Sequence, residues 1–348
     1  MKGNDHYMNK IVTFGEVMLR LSPTGYNRLF QNDNLQATFG GAELNVAVSL
    51  AEFGEDVVYV TKVPDNQIGD GAISNIKSFG VDTSAIVRGG SRLGIFFLEK
   101  GVNLRPSVCI YDRNNSSIQQ SDVADFDWDE IFDGAKWFHF TGITPALGEN
   151  LVDICLKACE KAKEKGLTIS CDLNYRSKLW NQETAAKTMK KFCPYIDLCI
   201  ANEEDAQNYF GLSSENTDVY SGKINKDGYE IIAKELVEKY GFKYMAFTLR
   251  TSISASVNKW AGMLYDGNNC YFSKEYHIDH IVDRVGGGDS FGAGLIYSMI
   301  NNYGAQEAIE FAVAASALKH SIEGDFNRVT VKEINDLLQG DASGRIKR

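Results

Sequence analysis

Long apolar runs are missing from this 348-residue chain. None approaches the roughly 20 residues that a membrane span needs, so no helical span is expected. The first ten residues are polar and hold no apolar core of a secretory signal, and Met8 is a second candidate start. Positive charge is in deficit: 36 Lys and Arg stand against 46 Asp and Glu, a net charge of −10. That balance argues against nucleic acid and anionic membrane surfaces as partners. Histidine and cysteine do not gather. Cys155 and Cys159 lie one helical turn apart, but no further ligand completes a metal site, so core packing is their expected role. The seven cysteines (109, 155, 159, 171, 193, 199, 270) are odd in number and scattered through mostly apolar stretches. They read as buried thiols in a reducing cytoplasm. No G-x-G-x-x-G follows the first strand, which argues against a dinucleotide-binding dehydrogenase. Internal repeats and low-complexity tracts are absent as well.

What remains is an ordinary globular composition, 44% hydrophobic and 24% charged. Periodicity predicts strands at 10–16, 57–63, 137–140, 168–173, 198–201 and 244–249. Between them fall helical segments leading from the Gly40-Gly41 stretch through about 53 and at 68–79, 151–165, 183–192, 203–210 and 229–240, with 291–301, 305–319 and 331–338 at the C-terminal end. Several are closed by glycine: Gly54, Gly80 and Gly166. This alternation predicts an α/β fold, a mostly parallel central sheet with helices on both faces. Residues 19–39 and 91–114 lack helical signal. They hold short apolar strands, 94–100 and 107–112 reading as a hairpin. We expect one domain over 10–340 with these strands inserted as a small β-lid. Residues 213–228 are polar and read as a surface loop. In parallel sheets ligands bind beyond the carboxyl ends of strands, where most of the polar residues below fall.

Asp283-Arg284-Val285-Gly286-Gly287-Gly288-Asp289 leads into an apolar, small-residue helical segment. Consecutive glycines admit positive φ and bring bare N–H groups close to a ligand. A helix start adds unpaired N–H groups and the positive end of its dipole, a natural anion site. On these residues alone two readings stand. One is a glycine-rich cap with Asp289 as a charge stabiliser. The other is a phosphate site in which Asp289 takes a proton from an attacking hydroxyl.

This stretch resembles the C-terminal signature of the PfkB (ribokinase-like) carbohydrate kinases, with Val285 for the usual Thr and Gly287 for the usual Ala. The resemblance implies that Gly286, Gly287 and Gly288 form an anion hole and that Asp289 is the catalytic base. Gly40-Gly41-Ala42-Glu43-Leu44-Asn45 resembles the N-terminal signature, which implies contacts to sugar hydroxyls; a plain helix cap is the other reading. Tyr111-x-Arg113 is similar to the pattern of 2-keto-3-deoxygluconate kinases, in which Tyr and Arg meet a substrate carboxylate, a geometry that suits arginine. Phe96 stands where similar kinases often carry Tyr.

Asp172-x-Asn174-x-Arg176 resembles a nucleotide-facing segment, with an Asp172–Arg176 ion pair as the alternative. Asn202 and Asp205 match an Asn-x-x-Glu that orders Mg²⁺ through water, with the shorter Asp205 in the acid position. Thr248 and Arg250 follow a strand beside the nucleotide and lack the usual glycine turn. Asp325 in Gly324-Asp325-Phe326-Asn327 falls near the substrate in the similar kinases. The resemblance covers about residues 10–338. It implies a ribokinase-like fold, ATP and Mg²⁺ as cofactors, and phosphorylation of a small sugar acid, 2-dehydro-3-deoxygluconate, at its terminal hydroxyl. A fructokinase or a non-catalytic sugar-binding regulator is the alternative, and the lid strands are expected to pair across a homo-oligomer.

Overall fold

A computed structural model describes residues 9–212 and 226–340. The second candidate start at Met8 and most of the expected polar loop lie outside the described residues. In chain order the strands are β1 Lys10–Phe14, β2 Met18–Pro23, β3 Leu35–Gly40, β4 Asp56–Val63, β5 Ile86–Arg88, β6 Gly94–Glu99 and β7 Val108–Asp112. They continue with β8 Ala135–Thr141, β9 Thr168–Asp172, β10 Leu198–Ala201, β11 Tyr244–Ser252, β12 Asn258–Tyr265, β13 Cys270–Phe272 and β14 Tyr276–Ile278.

Ten of them form the main sheet, in the order β13-β12-β11-β10-β9-β8-β1-β4-β5 with β14 also on β12. From β11 to β5 every pairing is parallel; β12 turns antiparallel and carries the edge. The parallel strands are apolar along nearly their whole length because both faces are covered. One face packs the aromatic group Phe14, Trp128, Phe132, Phe138 and Phe140. The other packs Leu44, Phe291, Phe311 and the rest of three helices.

Two of those helices, Gly287–Ile300 and Ala305–Lys319, are apolar nearly all round, as helices inside a core are. They cross closely at Gly294, where a Cβ would lie 2.6 Å from the Ala312 Cα. The first helix is therefore rigidly seated, and so is its N-terminus. It begins at Gly287, earlier than periodicity alone indicated.

The segments without helical signal build a second sheet, β3-β2-β6-β7. β6 and β7 are the expected hairpin, and β2 pairs parallel with β6. Strand β2 follows β1 after three residues, so the second sheet is anchored directly at the carboxyl edge of the first. Among the described residues, no helix is long and apolar enough to cross a membrane.

Candidate active site

Between the second sheet and the carboxyl ends of β1 and β8–β11 lies a cleft of about 450 Å³. Asp289 stands on its wall, in the first turn of helix Gly287–Ile300. Gly286 caps that helix with φ 84°, a conformation that glycine adopts freely. The Gly286 carbonyl accepts the first helical hydrogen bond, from Ser290 N at 2.9 Å. The amides of Gly288 and Asp289 precede that bond and have no acceptor within the helix. Gly287 N instead donates to Arg284 O at 3.3 Å, inside the turn itself. So the three glycines are not equivalent: Gly286 sets the bend, Gly287 closes it, and Gly288 presents an amide.

Asn45 Nδ2 donates to Asp289 Oδ2 at 2.7 Å, joining two motifs 244 residues apart. Burial pushes the Asp289 carboxyl up to about 7. The Asn45 bond and Arg176 oppose that rise, while Asp325 and Glu43 add to it. Asp172 is likewise raised well above the carboxylate range, by burial first and then by Asp205 and Asp289. No ion pair joins Asp172 to Arg176 among the described residues. Arg176 acts on Asp172 through space only, opposing the rise of its carboxyl, and acts likewise on Tyr111, Cys109 and Asp289.

The Gly40–Gly41 turn does different work from the glycine stretch at 286–288. Gly41 is extended (φ 167°), so its backbone alone does not call for glycine. The requirement is close approach: a Cβ on Gly40 would lie 2.1 Å from Asp325 Oδ2, and one on Gly41 2.0 Å from the Glu16 carbonyl oxygen. Gly40 thus backs Asp325 and is the one predicted site residue off the cleft wall. Ala42 is on the wall. Glu43 reaches it too, but its Oε1 is held by Thr141 N (3.0 Å), Thr141 Oγ1 (2.7 Å) and Thr144 Oγ1 (2.6 Å). Its burial raises its pKa. Glu43 pins the helix start to β8.

On the second sheet, Phe96 stacks on Tyr111 with ring centroids 6.0 Å apart, and the Arg113 guanidinium lies 5.2 Å from the Tyr111 ring centre. Arg113 is not a free cation. Its Nε donates to Glu16 Oε2 at 2.8 Å, and its Nη2 donates to the same oxygen. Ser116 Oγ donates to Glu16 Oε1 at 2.7 Å. The Nη1 group lies outside this pair.

Asn174 sits at φ 44°, in the left-handed region that asparagine tolerates better than most residues. Asp205 holds that bend: it accepts Tyr175 N at 2.9 Å and Asn202 N at 3.0 Å. Asn202 caps helix Glu203–Phe210 in return. Asp205 is therefore a bracket between two strand ends. Among the described residues no group of three or more His, Cys, Asp or Glu is placed to hold a metal ion. A Mg²⁺ carried by phosphates and water fits this wall better than a protein cage.

Thr248 and Arg250 are on the wall, joined by Asn258, Trp260, Arg284 and His320. Asn258 Oδ1 and Trp260 Nε1 are buried with no hydrogen-bond partner, which leaves polar groups ready for a ligand. Trp260 Nε1, a donor, fits a polyanion such as a nucleoside triphosphate together with Arg176, Arg250 and Arg284, whereas Asn258 Oδ1 accepts and suits a hydroxyl or amine of the ligand. Sequence reasoning missed Glu16, Asn258, Trp260, Arg284 and His320. Glu16 gave a usable signal, an acid directly after a buried strand. Asn258 and Trp260 lie on an antiparallel strand with no local mark.

The pfkB family carbohydrate kinase model matches residues 8–327. The chain belongs to the pfkB family of carbohydrate kinases. As a member of this kinase family it has a nucleotide-dependent phosphoryl transfer as its reaction, ordinarily with Mg²⁺. A crystal structure of 2-dehydro-3-deoxygluconokinase from Thermotoga maritima is 50% identical and superposes with a TM-score of 0.92, over 95% of this chain and all of that one. The 2-dehydro-3-deoxygalactonokinase of Haloferax volcanii is 29% identical over 96% of this chain and 98% of its own length. The 2-dehydro-3-deoxygluconokinase of Bacillus subtilis is 27% identical over 92% of this chain and 93% of its own. This pfkB kinase therefore matches sugar-acid kinases along its whole fold.

Proposed function

We propose that the chain transfers the γ-phosphoryl group of ATP to the terminal hydroxyl of 2-dehydro-3-deoxygluconate, giving the 6-phosphate. The observation that carries this reading is the Asn45–Asp289 hydrogen bond on a cleft that Arg113 also lines. A proton acceptor and an arginine with its Nη1 outside the Glu16 pair thus share one cavity.

Asp289 accepts the hydroxyl proton, with Asn45 fixing which oxygen faces the acceptor. The amides of Gly288 and Asp289, with the turn set by Gly286 and closed by Gly287, hold charge on the transferring group. ATP supplies that group, and a Mg²⁺ bound with it beside Asn202 and Asp205 would supply charge neutralisation. Asn202, Asn174, Thr248 and Arg250 line the nucleotide side. Phe96 and Tyr111 form the apolar wall of the sugar side. Asp325, with Gly40 behind it, and Gly41, Ala42 and Glu43 form its floor. Arg113 offers Nη1 to the substrate carboxylate. Asp205 serves any metal by holding Asn202 in place.

One observation favours a second reading. Glu16 already compensates Arg113, which suits a neutral sugar such as fructose. A coupled assay on 2-dehydro-3-deoxygluconate, 2-dehydro-3-deoxygalactonate and fructose decides between them. We expect the sugar acids to have the higher kcat/KM. Arg113→Ala is expected to lower that value about tenfold or more, the weight of a hydrogen bond to a charged group, and to spare fructose. Faster turnover of fructose, unaffected by Arg113→Ala, rejects the sugar-acid reading.

A further inference from the structure

Arg20 stands on β2 of the second sheet, yet the residue is 2% exposed and its guanidinium lies beneath the glycine turn. Its Nη1 donates to Asp325 Oδ1 at 2.5 Å, its Nη2 to Asp283 Oδ2 at 2.6 Å and its Nε to Ser22 Oγ at 2.9 Å. One side chain therefore ties together residues 263 and 305 positions away in sequence.

One carboxylate it grips opens the turn and the other belongs to the segment packed against it. Asp283 Oδ1 accepts Val285 N at 3.1 Å, and Asp283 Oδ2 also accepts Gly324 N at 3.2 Å. Asp325 lies so close that a Cβ on Gly286 would meet its carbonyl oxygen at 2.1 Å. A second buried cation completes the group. Lys319 Nζ donates to Gly324 O at 2.7 Å and Ile322 O at 3.1 Å, and its Cε would lie 3.2 Å from that same Gly286 Cβ. Two cations and two anions thus surround the bend at Gly286. A buried ion network contributes little net stability when complete, because desolvation offsets attraction. What it provides is geometry, since each planar fork admits one arrangement.

We propose that Arg20 is a positioning residue for phosphoryl transfer, locking the 283–288 turn to the second sheet so that the turn's amides keep their aim. The inference rests on the reading of that turn as the phosphoryl site. It assigns Arg20 no contact with substrate. The same link makes the sheet that carries Phe96 and Arg113 mechanically continuous with the turn that carries Asp289.

The test compares the full chain with Arg20→Lys, which keeps the charge but cannot span two carboxylates, and with Arg20→Gln/Asp283→Asn, which removes one charge of each sign and leaves Asp325 balanced by the neighbouring Lys319 alone. Amide hydrogen exchange without ligands is read at 283–291, with β4 and helix Glu149–Glu164 as internal references. We expect exchange at 283–291 to rise about tenfold or more while the references hold, the signature of local opening. With the best acceptor of the panel above, kcat should fall about tenfold or more, with KM for ATP and acceptor within about threefold of the parent. Parent-like exchange at the turn in a folded variant overturns the proposal. So does a uniform rise over the whole chain, which a merely structural role would give, and so does an unchanged kcat. The exchange readout needs no acceptor. Failure to phosphorylate the sugar acid therefore defeats the substrate assignment alone, and the turn's amides still decide the role of Arg20.

Discussion

A carboxylate beside a phosphate repels it, and the pressure on Asp289 shows how the site accommodates one. Burial first, and neighbouring acids after it, raise its carboxyl to about 7, which eases its charge beside a phosphate. A base works only when deprotonated, so kcat/KM should rise with pH through about 7 and level off above it. A profile that is flat between pH 5 and 9 contradicts the assignment. The sign for stability is opposite. A carboxyl raised above its unfolded value stabilises the fold below that unfolded value and loses the contribution as pH climbs to about 7. Asp289→Asn should therefore melt no lower than the parent at pH 8, by scanning calorimetry.

Arg113 gives a second prediction at this scale. Glu16 is 3% exposed at its side chain. Arg113→Met strands its charge and should cost about 3–5 kcal/mol of stability, most of it recovered when Glu16→Gln is added. Additive losses in denaturant unfolding would show that the pair is not coupled.

At the scale of elements, the glycine turn and helix Gly287–Ile300 form one unit. Gly287 is glycine for a visible reason. A Cβ on Gly287 would lie 2.9 Å from His320 Cε1. That ring is itself held by Ser316 O at Nδ1 (2.7 Å) and packed on Trp260, centroids 5.1 Å apart. Gly287→Ala should therefore displace the turn and lower kcat about tenfold or more, the scale of a misplaced oxyanion donor. Adding His320→Ala should restore part of it. Parent-like kcat in Gly287→Ala would show that the ring yields without moving the turn.

The same unit shows what a sequence can and cannot disclose. The parallel strands and their helices were legible because apolar periodicity and glycine stops are local. Asn45 and Asp289 were legible as site residues because each sits in a recognisable motif, but the bond that joins them was not. The Glu16–Arg113 pair was not, since neither residue carries a mark of its partner 97 positions away. Gly40 and Gly41 were visible as glycines, but their reason was not. They are small because Asp325 and the Glu16 carbonyl press on them, and that contact exists only after folding.

For the whole molecule, the second sheet and the carboxyl edge of the main sheet enclose one cleft. One wall offers arginines and orphaned polar groups, and the other offers Phe96, Tyr111 and a compensated Arg113. Asp289 and the turn's amides stand on the same cleft wall, where a hydroxyl and a phosphoryl group would have to meet. The central claim is that Asp289 takes the acceptor's proton there. Single-turnover phosphoryl transfer by Asp289→Asn, with ATP and sugar-acid binding measured in parallel, tests it most directly. The account predicts binding within a few-fold of the parent and a transfer rate lower by about 10²–10⁴. Transfer at close to the parent rate would contradict it.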